Sequence, residues 1–144
     1  MTAIEAEKLY TPEILALAVE LAEYPFDSLS PLKAEVSSRS CGSTLAMSVK
    51  TNADGAIDAI GMRVTACAIG QAAAAIFARN AKGRSLADIQ RSGEALLGWL
   101  NRSGEMPQWA GIATLDNARA FPARHDAILM PWRAAVQALS KAMP

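Results

Sequence analysis

Three side chains offer thiolate or imidazole chemistry: the two cysteines, Cys41 and Cys67, and the one histidine, His125. Cys67 stands between an alternating, strand-like segment and the alanine-rich segment "AIGQAAAAIFAR", so a strand is predicted to end there and a helix to begin. Backbone N–H groups at the start of a helix favour a thiolate, which is both a nucleophile and a metal ligand. The alternative is an inert core residue, because free cysteine is among the most buried residue types.

Cys41 occurs in "SRSCGSTL" and is followed by Gly42, a sequence typical of a loop tip between two strands. If the strands form one meander, this loop and the segment at Cys67 lie at the same end of the sheet, and the two thiols converge. Two thiols alone do not make a zinc site, which usually has four ligands. His125 and its neighbour Asp126 would supply the missing imidazole and carboxylate, although a single histidine near a helix start is usually a surface residue.

The first half of the chain is predicted to form one helix and three antiparallel strands. Thr11 is a candidate helix cap, and we expect Pro25 to end the helix that follows it. Strands are predicted in residues 34–40, 43–51 and 56–64. The turn "TNADGA" joins the last two of these strands. Alternation in the second strand predicts a buried face and a solvated face, formed by Leu45, Met47 and Val49 and by Ala46, Ser48 and Lys50 respectively.

Helices are predicted throughout the second half. Ser85, with Asp88 three residues later, indicates a capped helix that follows the one beginning near Cys67. Residues 113–121 are predicted to form a short helix, and the closing helix contains Pro131, which should either kink it or mark where regular helix begins. An N-terminal helix, a three-stranded antiparallel sheet and several helices packed on that sheet make an α+β fold.

Composition limits the function classes. The 144 residues, 51% of them hydrophobic, are enough for one folded domain spanning 1–144. The formal net charge of zero leaves no basic excess for nucleic acid, and no apolar run reaches the length of about 20 residues that spans a membrane. The start "MTAIEAEKLY" does not resemble a signal peptide, so we expect a cytoplasmic protein whose two cysteines are free thiols or ligands. No nucleotide-binding or hydrolase motif occurs, and we do not predict an enzyme.

From roughly Leu9 to Leu139 the chain resembles the NifU/IscU-like iron–sulfur cluster assembly scaffolds, nearest the SufU branch. The resemblance rests on "LYTPEILALA", on Cys-Gly after a strand, on "CAIGQAAAA" and on "ARHDAILMPWRAAVQAL", whose tryptophan is Trp132. "CAI" alone would be weak, but these segments in this order are specific. The resemblance implies the SufE/NifU-like α+β fold that the periodicity also predicts.

The resemblance further implies a transient iron–sulfur cluster, or zinc, held by three cysteines and an aspartate. It implies a cysteine desulfurase as the sulfur-donating partner and apo-proteins as recipients of the cluster. Cys41 and Cys67 match the first two cysteines of the family. The aspartate after Cys-Gly is Ser43 in this chain, and the third cysteine is Ala127, so this is a diverged member that lacks two of four family ligands.

Three hypotheses follow. In the first, the protein is a cluster assembly scaffold or sulfur acceptor that uses Cys41 and Cys67. In the second, it is a degenerate member that acts as a binding or adaptor module, with no metal or cluster bound. In the third, it is a zinc-binding thiol protein without cluster assembly, in which His125, Asp126 or Ser43 completes the ligand set. Whether Cys41 and Cys67 form a disulfide stays open.

Overall fold

The fold is an N-terminal helix, a three-stranded sheet and a helical second half, as the sequence predicts, and the α+β class is confirmed. The computed structural model describes residues 9–39 and 42–143. The α-helices are α1 (Pro12–Glu20), α2 (Ala68–Ala81), α3 (Leu86–Leu100) and α4 (His125–Ser140). The strands are β1 (Leu32–Ser37), β2 (Thr44–Thr51) and β3 (Ile57–Thr65). Short 3₁₀ helices occupy Leu21–Glu23, Ile112–Ala120 and Pro122–Arg124.

The sheet is an antiparallel meander in the order β1-β2-β3. Its register pairs Ser37 with Thr44 and Thr44 with Thr65. These three residues therefore form one row across the end of the sheet. The β1–β2 loop and the connection from β3 to α2 both leave the sheet from this row. The register thus brings the loop of Cys41 and the segment of Cys67 to the same end, as a meander requires.

The alanine run of α2 lies in the middle of the core. Residues 72–75, all alanine, have no exposed surface, and α2 contacts α1, α4 and the sheet. Beyond the alanines, Phe77 packs against Trp109 and Trp132, with the three pairs of ring centroids 5.1–5.3 Å apart. Small side chains let a helix approach its neighbours closely. The run is therefore a packing feature that places the N-terminus of α2 at the sheet end.

The predicted solvated face of β2 is wrong at two of its three residues. Lys50 is exposed, but Ala46 and Ser48 are buried along with the predicted core face. The segment after α1 covers this second face: Asp27 donates its backbone N–H to the Ser48 hydroxyl at 3.0 Å, and Tyr24 accepts one from the backbone of Met62. Alternation along one strand carries no information about a segment that returns from elsewhere in the chain.

Helix boundaries mostly follow the predicted signals. Thr11 caps α1 by accepting the Ile14 N–H, although the α-helix ends at Glu20 and a 3₁₀ turn follows before Pro25. Residues 113–121 form a 3₁₀ helix rather than an α-helix. Pro131 does not mark the start of the last helix, because α4 begins six residues earlier and continues through it.

Within the described residues, no helix is long and apolar enough to cross a membrane.

Gly61 supports a testable prediction about the packing of the segment over β2. A Cβ at this position would lie 2.0 Å from the carbonyl oxygen of Pro25, which is backbone and cannot rotate away. We expect Gly61→Ala to lower the free energy of unfolding by about 2–4 kcal/mol in urea denaturation. Gly98→Ala is the matched control. Gly98 lies within α3, and the nearest neighbour of an added Cβ there would be the Ser103 hydroxyl oxygen at 3.6 Å, an ordinary contact distance. It should raise stability by about 0.5–1 kcal/mol. Equal effects of the two changes would contradict this account.

The capping box of α3 predicts a pH-dependent contribution to stability. Asp88 accepts the Ser85 backbone N–H and donates its own N–H to the Ser85 hydroxyl. The hydrogen bond from the Ser85 backbone is the main cause that lowers the pKa of Asp88 below its ordinary 3.8. A carboxylate with a depressed pKa stabilises the fold fully above its ordinary pKa, and this is lost as pH falls through the lowered value. Thermal melts should therefore show Asp88→Asn less stable than the wild type at neutral pH, with the difference vanishing in strong acid. A difference independent of pH would exclude the charged cap as its origin.

Candidate functional site

Cys67 is the N-cap residue of α2, where β3 passes into the helix. Its backbone is extended (φ −64°, ψ 167°), and its carbonyl accepts the first helical hydrogen bond, from the Gln71 N–H at 3.0 Å. The Cys67 side chain makes no capping hydrogen bond, and the residue is only partly buried. The N–H groups of the first turn therefore lie near a thiol that is partly exposed and partly packed against the hydrophobic core. This exposure argues against an inert core cysteine.

The base of the β1–β2 loop is closed by a backbone hydrogen bond beside a glycine turn. The Ser38 N–H donates to the Ser43 carbonyl at 2.8 Å, and Gly42 has a φ of 67°, a left-handed conformation that favours glycine. Ser43 is buried at this base. Cys41 lies outside the described residues, so its place in the site stays a prediction. The two ends of its loop, however, are fixed at the sheet end beside Cys67.

Ala127, at which the resemblance places the third family cysteine, faces the first turn of α2. Ala127 has no exposed surface, and a Cβ placed on Gly70 would lie 3.4 Å from the Ala127 Cβ and 2.9 Å from that of Ala66. Gly70 is three residues after Cys67 on the same helix. The start of α4 and the start of α2 thus meet at a contact made only of small side chains.

Asp126 has partners for both of its carboxylate oxygens. Its Oδ1 accepts from Arg133 Nη1 at 2.7 Å, and its Oδ2 accepts from the backbone N–H of Arg39 at 2.7 Å. The other terminal nitrogen of Arg133 donates to the Ser37 carbonyl at 3.2 Å. We call this set of contacts the Asp126–Arg133 bridge. It joins α4 to the last residue of β1 and to the loop that carries Cys41.

His125 is held by one ring nitrogen. Its Nε2 lies 3.0 Å from the Arg119 carbonyl oxygen, which can only accept, so the proton is assigned to Nε2. In the neutral ring Nδ1 is then the atom with a free lone pair. Metal-ligating histidines commonly donate their other N–H to a backbone carbonyl in this way. The contact is compatible with a ligand role but is equally a simple anchor for the start of α4.

The candidate ligands do not form a closed metal site by themselves. In residues 9–39 and 42–143 there is no group of three or more histidine, cysteine, aspartate or glutamate side chains that could hold a metal ion. Cys67, His125 and Asp126 are therefore not gathered as a three-ligand set. A structural zinc site needs four ligands in tetrahedral geometry, and these described residues do not fit that requirement. Any metal or cluster at Cys67 would depend on Cys41 and on ligands from outside this set.

Sequence reasoning missed Arg133. The signal was present, because Asp126 and Arg133 are seven residues apart and so lie two turns apart on the same face of a helix. The link to Ser37 and Arg39 could not be seen in the same way, since these residues are 87 to 96 positions away in the chain.

Arg133 also lies at the edge of a cleft of about 410 Å³ between α3 and α4, whose apolar lining includes Ile89, Leu97, Leu129, Trp132 and Val136.

No protein-family model matches the chain, and no curated protein matches it either. The chain does match several solved structures. The chain is 26% identical to the N-terminal part of a nitrogen-fixing NifU-like protein from Brucella abortus, with a TM-score of 0.85 over 95% of this chain and 96% of that one.

Two further solved structures share the fold. A proposed iron–sulfur cluster assembly scaffold protein for the SUF system from Fervidobacterium islandicum AW-1 has a TM-score of 0.80 at 16% identity, covering 91% of this chain and 96% of that one. A protein described only as hypothetical has a TM-score of 0.70 at 19% identity, over 88% and 96% of the two chains. With its helix-sheet-helix order and its N-cap cysteine, the chain has the same fold as these NifU-like and SUF scaffold structures.

Proposed function

We propose that the protein is a scaffold or sulfur acceptor in iron–sulfur cluster assembly, working through the thiolates of Cys41 and Cys67. The observation that carries this proposal is the placement of Cys67. It is a partly exposed thiol at a helix N-terminus, at the sheet end where the loop of Cys41 also closes. The structural likeness to a NifU-like protein and to a SUF scaffold supports the same assignment. In this role the protein passes its cargo on and is not an enzyme with turnover of its own.

In the proposed role the cluster is bound only transiently before it is transferred, and the small number of cysteine ligands supports transient binding. Iron–sulfur clusters are held by cysteine thiolates, and a cluster with four protein thiolates is a stable resident group. This chain has only two cysteines in all. A cluster bound by two thiolates leaves other iron positions to ligands from solution or from a partner. Such a cluster is transient and is easily transferred to a recipient apo-protein.

Sulfur would reach the site from a cysteine desulfurase. The thiolate of Cys67 or Cys41 attacks the outer sulfur of the persulfide on the partner enzyme. A new S–S bond forms on this protein, the S–S bond on the partner breaks, and the partner leaves as its thiolate. No oxidant or reductant is needed in this exchange. The reaction requires an accessible thiol, and the partial exposure of Cys67 supports this role.

The degenerate adaptor is the second candidate function, and Ala127 and Asp126 favour it. Ala127 has no ligand atom, and both oxygens of Asp126 are already bonded within the protein. An adaptor of this kind would keep the fold and its contacts with the assembly proteins while needing neither thiol. The two functions therefore differ in what happens when the cysteines are removed.

Removing single thiols tests the proposed function. After incubation with a cysteine desulfurase and cysteine, mass spectrometry of the wild type should show a gain of one sulfur on Cys41 or Cys67. Anaerobic addition of iron and sulfide should give visible charge-transfer absorption. Cys67→Ser and Cys41→Ser should each abolish the cluster absorption, because one thiolate cannot hold it.

Two results together would establish the adaptor instead. The wild type would form neither a persulfide nor a cluster, and cellular function would survive the double change Cys41→Ser/Cys67→Ser. The matched control is Ser140→Ala, far along α4, which should leave both signals unchanged.

Restoring the third cysteine provides the converse test. Ala127 faces Gly70, so the sulfur of Ala127→Cys would extend toward the first turn of α2, beside Cys67. We expect this variant to hold a reconstituted cluster longer against a chelator than the wild type does. Because position 127 has no exposed surface, the added sulfur should cost about 1–2 kcal/mol of unfolding free energy. Ala135→Cys, buried farther along α4, controls for the added thiol and should not prolong cluster lifetime.

A further inference from the structure

The carbonyl group of Ala66 lies between two regular elements. β3 ends at Thr65 and α2 begins at Ala68, and the first helical hydrogen bond goes to the carbonyl of Cys67. The partly buried Ala66 carbonyl therefore needs a donor from elsewhere. Gln71 supplies it, because its side-chain Nε2 donates to the Ala66 oxygen at 2.8 Å. Since that oxygen can only accept, the amide nitrogen of Gln71 is the atom that faces it.

Gln71 also donates its backbone N–H to the Cys67 carbonyl, at 3.0 Å. One residue therefore bonds the carbonyl group on each side of the Cys67 Cα atom. The peptide plane before Cys67 sets its φ, and the plane after it sets its ψ. With both planes held by Gln71, the Cys67 backbone is fixed at φ −64° and ψ 167°. The direction of its Cα–Cβ bond follows from these two angles.

Packing restricts the same segment from another direction. A Cβ placed on Gly70 would lie 2.9 Å from the Cβ of Ala66, so the first turn of α2 lies directly against the residue before Cys67. Ala66, Cys67 and Ala68 also pack against the hydrophobic core. Because the Cys67 side chain makes no capping hydrogen bond, its direction depends on the backbone that carries it.

We propose that Gln71 is a positioning residue for sulfur transfer: by bonding the carbonyl groups on both sides of Cys67, it fixes the direction in which the thiol leaves the backbone. In the exchange described above, the Cys67 thiolate displaces the partner's thiolate from the outer sulfur of its persulfide. This displacement is fast only when the three sulfur atoms are nearly in line, so the direction of the attacking thiol governs the rate of the step. The inference rests on the proposed use of the Cys67 thiol.

Two substitutions remove the side-chain donor in different ways, so that the result does not depend on one variant folding. Gln71→Met keeps an unbranched side chain of similar length but has no N–H group. Gln71→Glu keeps the shape, and its ionised carboxylate can only accept a hydrogen bond. Both variants retain the backbone N–H of residue 71 and lose the bond to the Ala66 carbonyl.

Asn80→Leu is the matched control. The side-chain Nδ2 of Asn80 donates to the Ala110 carbonyl at 3.0 Å. Asn80 lies nine residues beyond Gln71 on α2, about 14 Å along the helix. The control therefore removes an amide–carbonyl hydrogen bond from the same helix without changing the contacts of the Cys67 segment. Urea denaturation of each variant shows that it is folded under the assay conditions.

Single-turnover kinetics separate the direction of the thiol from its accessibility. A cysteine desulfurase that carries its persulfide is mixed with each protein, and mass spectrometry after digestion follows the sulfur on the peptide that contains Cys67. In both Gln71 variants we expect the maximal rate to fall about tenfold, while the half-saturating concentration changes less than about twofold. Alkylation by iodoacetamide, a small reagent that can approach from many directions, should change less than about twofold. Asn80→Leu should match the wild type in both reactions.

NMR reports the Cys67 backbone without any partner. The three-bond coupling between its amide and α protons measures φ, and ¹⁵N relaxation measures its mobility. In the Gln71 variants the coupling should change, and the order parameter of the Cys67 amide should fall from about 0.85, the value of rigid backbone, toward about 0.6. Asn80→Leu should leave both signals unchanged.

Each of three results would overturn the positioning role. The first is a maximal transfer rate that stays at the wild-type value in both Gln71 variants. The second is a Cys67 coupling and order parameter that do not change. The third is an alkylation rate that falls as much as the transfer rate, because the substitutions would then bury the thiol rather than change its direction.

Failure of the proposed function has a different outcome. In that case the wild type itself acquires no sulfur on Cys67 from the desulfurase. The coupling and the order parameter still decide whether Gln71 holds the Cys67 backbone, because neither measurement involves sulfur transfer. The two proposals can therefore be rejected independently.

Discussion

The close contact of the first turns of α2 and α4 is the constraint on which the site depends. At Gly70 a single added carbon would lie 2.9 Å from the Cβ of Ala66, a separation that real side chains do not adopt. Ala127 closes the contact from the other side. An added Cβ at Gly70 would thus meet both the residue before Cys67 and the first turn of α4, so the start of α2, with Cys67 as its cap, is closely packed on both sides. The buried alanines farther along α2 extend the same close approach into the core.

The sequence was a good guide where local signals decide the structure. Thr11 and Ser85 are helix caps as predicted, and the alternation of Leu45, Met47 and Val49 identifies a core face. The prediction failed where a distant segment decides instead. Ala46 and Ser48 have the pattern of a solvated face, yet the chain after α1 returns to cover them. No periodicity within β2 encodes that return.

The same distinction between local signals and long-range contacts applies to the candidate site. The position of Cys67 at a strand–helix junction follows from the change of period in the sequence, and the structure has it there. That Asp126 already has two partners could not be deduced, since one partner is the backbone of Arg39 in a loop 87 residues earlier. An aspartate beside a missing cysteine suggests a replacement ligand by composition alone. Its bonds in the folded chain favour a different role.

Under the proposed function, two features of α4 leave few ligands for a cluster. Ala127 has no ligand atom, and Arg133 already pairs with the Asp126 oxygen that a metal would need. Since an arginine–carboxylate pair at 2.7 Å must be broken before that oxygen can bind a metal, a tightly held resident ion is disfavoured. Two cysteines remain, and Cys67, which lies among the described residues, is partly exposed at the sheet end. Under the proposed function, two cysteines would leave the remaining ligands of a cluster to partner proteins, which is what a carrier that gives up its cargo requires.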